Sequence, residues 1–266
     1  MITPAAWLSC GVAIAQGARD PAGVRALAGT SADLAVLEAR LVGCRACPRL
    51  VAWREEVART RRAAFADQEY WGRPVPGFGP ADAPICVVGL APAAHGGNRT
   101  GRMFTGDRSG DWLYAALHRA GLASQPTSTG PGDGLTLHGV RITAPVHCAP
   151  PANRPTTQER DTCRPWLERE LSLLAPTLRV FVVLGAFGWS ALWSALAAAG
   201  HPGPVPRPSF GHGAEAAVPG RGWHVLGCYH VSQQNTFTGR VTEQMLDAVF
   251  AEARDLACGG GRSVRG

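Results

Sequence analysis

No stretch of the 266 residues approaches the ~18 consecutive apolar positions that a spanning helix needs, and the start carries neither the basic residues nor the apolar stretch of a secretory signal. The sequence therefore predicts a cytoplasmic protein with no membrane partner. Charge of either sign is scarce: charged residues make up 17%, and 26 basic side chains stand against 20 acidic ones for a net charge of +6. Lysine is absent, so that excess is all arginine. It assists contact with a polyanion without requiring one, and it excludes only a strongly acidic protein. Apolar content of 45% is enough for one sizeable core. Eight cysteines without a signal peptide point away from a disulfide framework and towards a metal or cluster site.

Residues 1–32 show no clear periodicity and read as a weakly ordered extension, followed by a single domain over 33–257 and a disordered Gly-rich tail over 258–266. Leu34, Leu37, Leu41 and Val42 share one helical face and lead into Cys44 and Cys47. Apolar runs at 85–89, 140–146, 179–184 and 223–228 read as strands, with helical patterns at 109–120, 156–174, 185–199 and 241–256 between and after them. That alternation predicts an α/β fold with a mostly parallel, four-stranded central sheet covered by helices on both faces. Loose Ser/Thr/Gly/Pro stretches at 124–134 and 200–213 read as surface loops.

The stretch GLAPAAHGGNRTGRMFTGDRSGDWL, Gly89 to Leu113, leaves the first strand as a long polar loop. In α/β sheets the crevice outside the carboxyl ends of the strands is where ligands bind. Here the glycines admit close approach, Arg99 and Arg102 answer anions, Phe104 offers a flat face, and Asp107 places a carboxylate before a helix. The plainer reading makes Asp107 or Ser109 an N-cap. His230 ends the last strand and faces the same crevice if the sheet is parallel. With Asp107 and Asn153 it makes an acid–base or hydrogen-bonding site.

Cys86 and Cys228 sit inside apolar strands and read as core, while Cys10 and Cys258 fall in the ends. Cys44 and Cys47 form C-x2-C, and Cys148 and Cys163 follow as C-x14-C. Four thiolates accept zinc or an iron-sulfur cluster. The wide second spacing favours [4Fe-4S] over two zinc knuckles.

Gly89 to Asp107, the four-cysteine pattern and HVSQQNTFTGR at His230 to Arg240 together resemble the family 5 (UDGb type) uracil-DNA glycosylases, relatives of the iron-sulfur family 4 enzymes. The likeness runs from about Leu41 to Leu256. It implies a three-layer αβα sandwich, a [4Fe-4S] cluster on Cys44, Cys47, Cys148 and Cys163, and hydrolysis of the N-glycosidic bond of uracil, or another deaminated base such as hypoxanthine, in single- or double-stranded DNA by a monomer. Such enzymes lack the polar residue that other uracil glycosylases place after the first strand to activate water, and Leu90-Ala91-Pro92-Ala93 is likewise apolar. The resemblance implies catalytic roles for Asp107 and His230. With the physical chemistry of base flipping, it suggests base contacts from Ala91, Phe104, Asn153 and Asn235, and DNA contacts from Arg99, Arg102, Ser232, Gln233, Gln234 and Arg240. The rival from another class is an iron-sulfur DNA-binding redox sensor without catalysis.

Overall fold

The structure, a computed structural model, describes residues 17–259. Short polar residues start most of its helices. Asp20 accepts from the Gly23 amide at 2.7 Å ahead of α1 (Pro21–Gly29), and Asp33 accepts from Val36 at 2.8 Å ahead of α2 (Leu34–Leu41). Pro48 opens α3 (Pro48–Thr60) with a φ already suited to a first turn. Then come β1 (Ile85–Val88), the single turn α4 (Gly97–Thr100), α5 (Arg108–Arg119) and β2 (Val140–Thr143). Thr156 and Glu159 form a capping box for α6 (Thr157–Leu174), which runs through Pro165 without ending. The chain closes with β3 (Val180–Leu184), α7 (Ala186–Ala198), β4 (Glu215–Val218), β5 (Trp223–Cys228), α8 (Gln233–Phe237) and α9 (Glu243–Ala257).

The strands form one sheet in the order β2-β1-β3-β5-β4, parallel except for β4, which pairs antiparallel with β5. Buried on both faces, the inner strands read as unbroken apolar runs, and alternate residues serve opposite layers. Ile85, Val87, Val180, Val182, Leu184, Leu226 and Cys228 face the core under α5 and α9. Cys86, Val88, Phe181, Val183, Trp223 and Val225 face the core under α1, α2, α6 and α7. This is the expected αβα sandwich. Its fifth strand, β4, lies between the 200–213 loop and the last predicted strand and was not expected, because Glu-Ala-Ala-Val has little β preference of its own and owes its extension to pairing with β5.

The weak order expected of residues 1–32 does not describe α1. Its Val24 and Ala28 are buried in the second core, so burial there offsets the cost of ordering the chain. Residues 1–16, with Cys10, and 260–266 lie outside the described residues. A buried ionic network ties the sheet to the helices: Arg141 on β2 donates from Nε to Glu170 on α6 at 2.6 Å and from Nη2 to Glu38 on α2, while Thr143 donates to Glu170 at 2.6 Å. It joins the elements that lead to or carry Cys44, Cys148 and Cys163. No helix among the described residues is long and apolar enough to cross a membrane.

Candidate active site and cysteine centre

The three parallel strand ends at Val88, Leu184 and Cys228 open on one side of the sheet, and the loops after β1 and β5 stand over them. Phe104 takes a left-handed backbone, φ 52°, unusual for a side chain of its bulk. Its neighbours hold it there. Tyr114 donates to the Met103 carbonyl at 2.7 Å, and the hydroxyls of Thr105 and Ser128 meet at 2.7 Å. The ring lies over Gly89, where an added Cβ would stand 2.8 Å from it, so only glycine fits beneath. Its centroid is 6.2 Å from that of the His230 imidazole. Residues far apart in the chain thus form one wall.

Asp107 is an N-cap, as the plainer reading held, but with one oxygen only. Its Oδ1 accepts from the Ser109 and Gly110 amides at 2.9 and 3.2 Å. Its Oδ2 takes no protein hydrogen bond among the described residues and faces Gly96, where any side chain would collide with it. Burial pushes the carboxyl above its ordinary value, and the Gly110 and Ser109 amides only partly oppose this. His230 is half-buried, and its ring has no hydrogen-bond partner among the described residues. Burial depresses it to about 4, so at neutral pH the imidazole is uncharged and keeps one N–H to donate.

The remaining expected contacts divide. Asn235 donates to the His230 carbonyl at 2.8 Å and so steadies that residue. Ser232 caps α8, where Gln233 and Gln234 are exposed, and beyond the helix Arg240 is exposed too, with its guanidinium 4.8 Å from the Tyr229 ring centroid. Asn153 is exposed in a tight turn after β2, with φ 54°. Ala91 packs with Leu50, Val146 and Cys148. Arg99 donates to His95 O, Gln68 Oε1 and Gly106 O, so its N–H groups tie the loop to itself. The expectation that Arg102 meets DNA is corrected: it is buried and donates to Asp133 at 2.8 and 2.9 Å and to Ser128 at 3.0 Å. The 124–134 excursion is accordingly a strut. Asp133 also accepts from the amides of Thr129, Gly130 and Leu135. Asp133→Ala, by stranding the buried guanidinium, is expected to lower unfolding free energy by about 3–5 kcal/mol in denaturant melts; a loss below 1 kcal/mol would reduce the strut to a surface contact.

Sequence reasoning passed over Phe237, which is 85% exposed at the end of α8. The available signal was a lone aromatic in an otherwise polar loop.

The four cysteines surround one small enclosed space between α2, α3, α6 and the segment after β2, with Leu41 and Leu50 closing it. Burial pushes Cys47 up to about 12 and Cys148 to about 11, and raises Cys44 and Cys163 as well. Donors nonetheless point at the sulfurs. The Ala46 amide faces Cys44, the His147 amide faces Cys163, and Arg54 Nη1 donates to Cys148 at 2.9 Å. The buried Trp166 indole N–H, beside Cys44, and His147 Nε2 both border the space without a hydrogen-bond partner. Among the described residues no three His, Cys, Asp or Glu side chains close tightly enough for a single metal ion.

Residues 76–254 match the model of the Uracil DNA glycosylase superfamily. The chain is similar to the type-5 uracil-DNA glycosylase of Mycobacterium bovis, 58% identical over 87% of this chain and 84% of the relative. It is similar also to those of Mycobacterium leprae, at 54% over 87% and 99%, and Thermus thermophilus, at 54% over 82% and 95%. None of these names supports a sensor without catalysis. With identity this high over nearly the whole length, and with the carboxylate, the histidine and the aromatic wall over the strand ends, the chain belongs to the uracil DNA glycosylase superfamily and within it to the type-5 uracil-DNA glycosylases.

Proposed function

We propose that uracil excision by this chain proceeds by turning the nucleotide out of the DNA stack into the crevice between Phe104 and His230. The base stacks on Phe104, the free Oδ2 of Asp107 faces the sugar, and the neutral imidazole donates to a base carbonyl. The observation that carries this reading is the pairing of Phe104 and His230 in one wall, with rings 6.2 Å apart. Bond cleavage builds cation character on the sugar and negative charge on the departing base. The ionised Asp107 positions water and stabilises the first; a neutral donor in a partly dry site stabilises the second without the cost of burying its own charge. Because the sequence holds no lysine, no lysine amine can trap the sugar as a Schiff base, which favours release by water.

Asn153, presented after β2, hydrogen-bonds the base, and the half-buried Ala91, Ala93 and Ala94 offer no polar side chain to reject deaminated purines such as hypoxanthine. The chain acts as a monomer in the cytoplasm on single- or double-stranded DNA. Ser232, Gln233, Gln234 and Arg240 address the backbone, while Phe237 enters the gap left in a duplex. Phe237→Ala is expected to slow excision from duplex DNA about tenfold and to spare single strands, which need no wedge; equal rates on both substrates in wild type and variant would remove that role.

The four cysteines hold a [4Fe-4S] cluster. Support comes from four thiols around one space, N–H donors aimed at their sulfurs, and orphaned polar atoms at its border. A cluster spreads its thiolates over several irons, so it does not need the tight convergence that a zinc ion demands. When bound, such a cluster supplies a covalent tie between α2, α3, α6 and the segment after β2, and it deprotonates thiols that burial would otherwise keep neutral.

The deciding experiment incubates the purified chain with a uracil-containing oligonucleotide and measures free uracil and abasic sites. Binding without release would mark a sensor. Iron and acid-labile sulfide assays on the same preparation test the cluster separately, and stoichiometric zinc without iron would overturn that assignment.

A further inference from the structure

Arg54 on α3 is 2% exposed, and no carboxylate forms a salt bridge with it among the described residues. A guanidinium that deep requires an anion, since desolvating an unpaired charge costs several kcal/mol. Its Nη1 donates to Cys148 Sγ at 2.9 Å and its Nη2 to the Cys44 carbonyl at 3.0 Å, so it spans two of the four cysteine segments. Glu159 and Glu55, the nearby acids, are engaged by Arg49 and Arg45. A neutral Cys148 thiol would leave the charge of Arg54 uncompensated. Thiolates around iron carry a net negative charge and would balance it. We infer that Arg54 is the resident counter-charge of the four-cysteine centre, a positioning residue that favours the more negative state of the centre and holds the α3 and Cys148 segments together.

The same residue reaches the active-site loop, since the Arg54 carbonyl accepts from the Asn98 side chain on α4 at 3.2 Å.

This inference rests on the cluster reading, and the test separates the two. Wild-type protein prepared without oxygen is assayed for iron and sulfide; a chain with neither sinks the cluster and the counter-charge together. Given a cluster, Arg54→Met keeps the bulk without the charge, and Arg54→Lys keeps the charge with less bulk. The midpoint potential is read by dithionite titration followed by absorbance and electron paramagnetic resonance, beside iron retention in air. Arg54→Met is expected to shift the reduced-to-oxidised ratio at a fixed potential at least tenfold towards the oxidised form, about 59 mV for one electron, or to lose its iron in air, while Arg54→Lys stays near wild type. The same behaviour in both variants, whether an unchanged potential or equal loss of iron, would make Arg54 a packing residue and overturn the assignment.

Discussion

Asp107→Asn is expected to slow single-turnover release of uracil by roughly two orders of magnitude or more while binding to uracil DNA changes little. The substitution separates the two duties of the side chain. Asparagine keeps an Oδ1 that can accept from Ser109 and Gly110, so α5 stays capped, but it loses the charge on the oxygen that faces Gly96. Thermal stability should hold or rise slightly, because burial penalises the native carboxylate. The active form is the ionised one, so the wild-type rate falls as pH drops through a value raised above the ordinary carboxylate range, and the variant loses that limb. Equal loss of binding and turnover, or an acid limb that survives the substitution, would leave Asp107 a cap alone.

For His230 the two readings differ in how the loss depends on the leaving base. An imidazole that donates to the departing anion matters more when that anion is harder to form. His230→Ala is therefore expected to slow release of uracil by ~10²-fold or more, and release of a 5-fluorouracil base by a smaller factor, with both substrates bound about as before. A core role predicts one factor for both bases, together with a loss of about 1–3 kcal/mol in stability. pH offers a second check. With a folded value of about 4 against 6.5 for the free side chain, the contribution of the neutral ring to stability is complete above pH 6.5 and is lost progressively as pH falls from 6.5 to about 4. A melting profile flat across that window would contradict a ring buried neutral, and so would one that His230→Ala leaves unchanged.

Much of this was legible in order along the chain. Val-rich runs under helices on both sides must be inner parallel strands, and a parallel sheet sends the loops after β1 and β5 to one edge. That order along the chain led to the expectation that Asp107 and His230 share one crevice. The C-x2-C pair and its two distant partners pointed to a shared centre in the same way, and the fold brings all four cysteines around one space.

Only the tertiary structure decided the rest, wherever a partner lay far away in sequence. The arginines Arg99 and Arg102 look alike beside a glycine-rich loop, yet the carbonyls of His95 and Gly106 occupy one and the carboxylate of Asp133 the other. Arg102 is not left for phosphate. Arg54 shows the reverse: on a helix of ordinary composition nothing marks it, and its meaning appears once the fold buries it against Cys148. Helical and strand periodicity report which face of an element is covered, but a charge or a short strand such as β4 takes its role from what covers it.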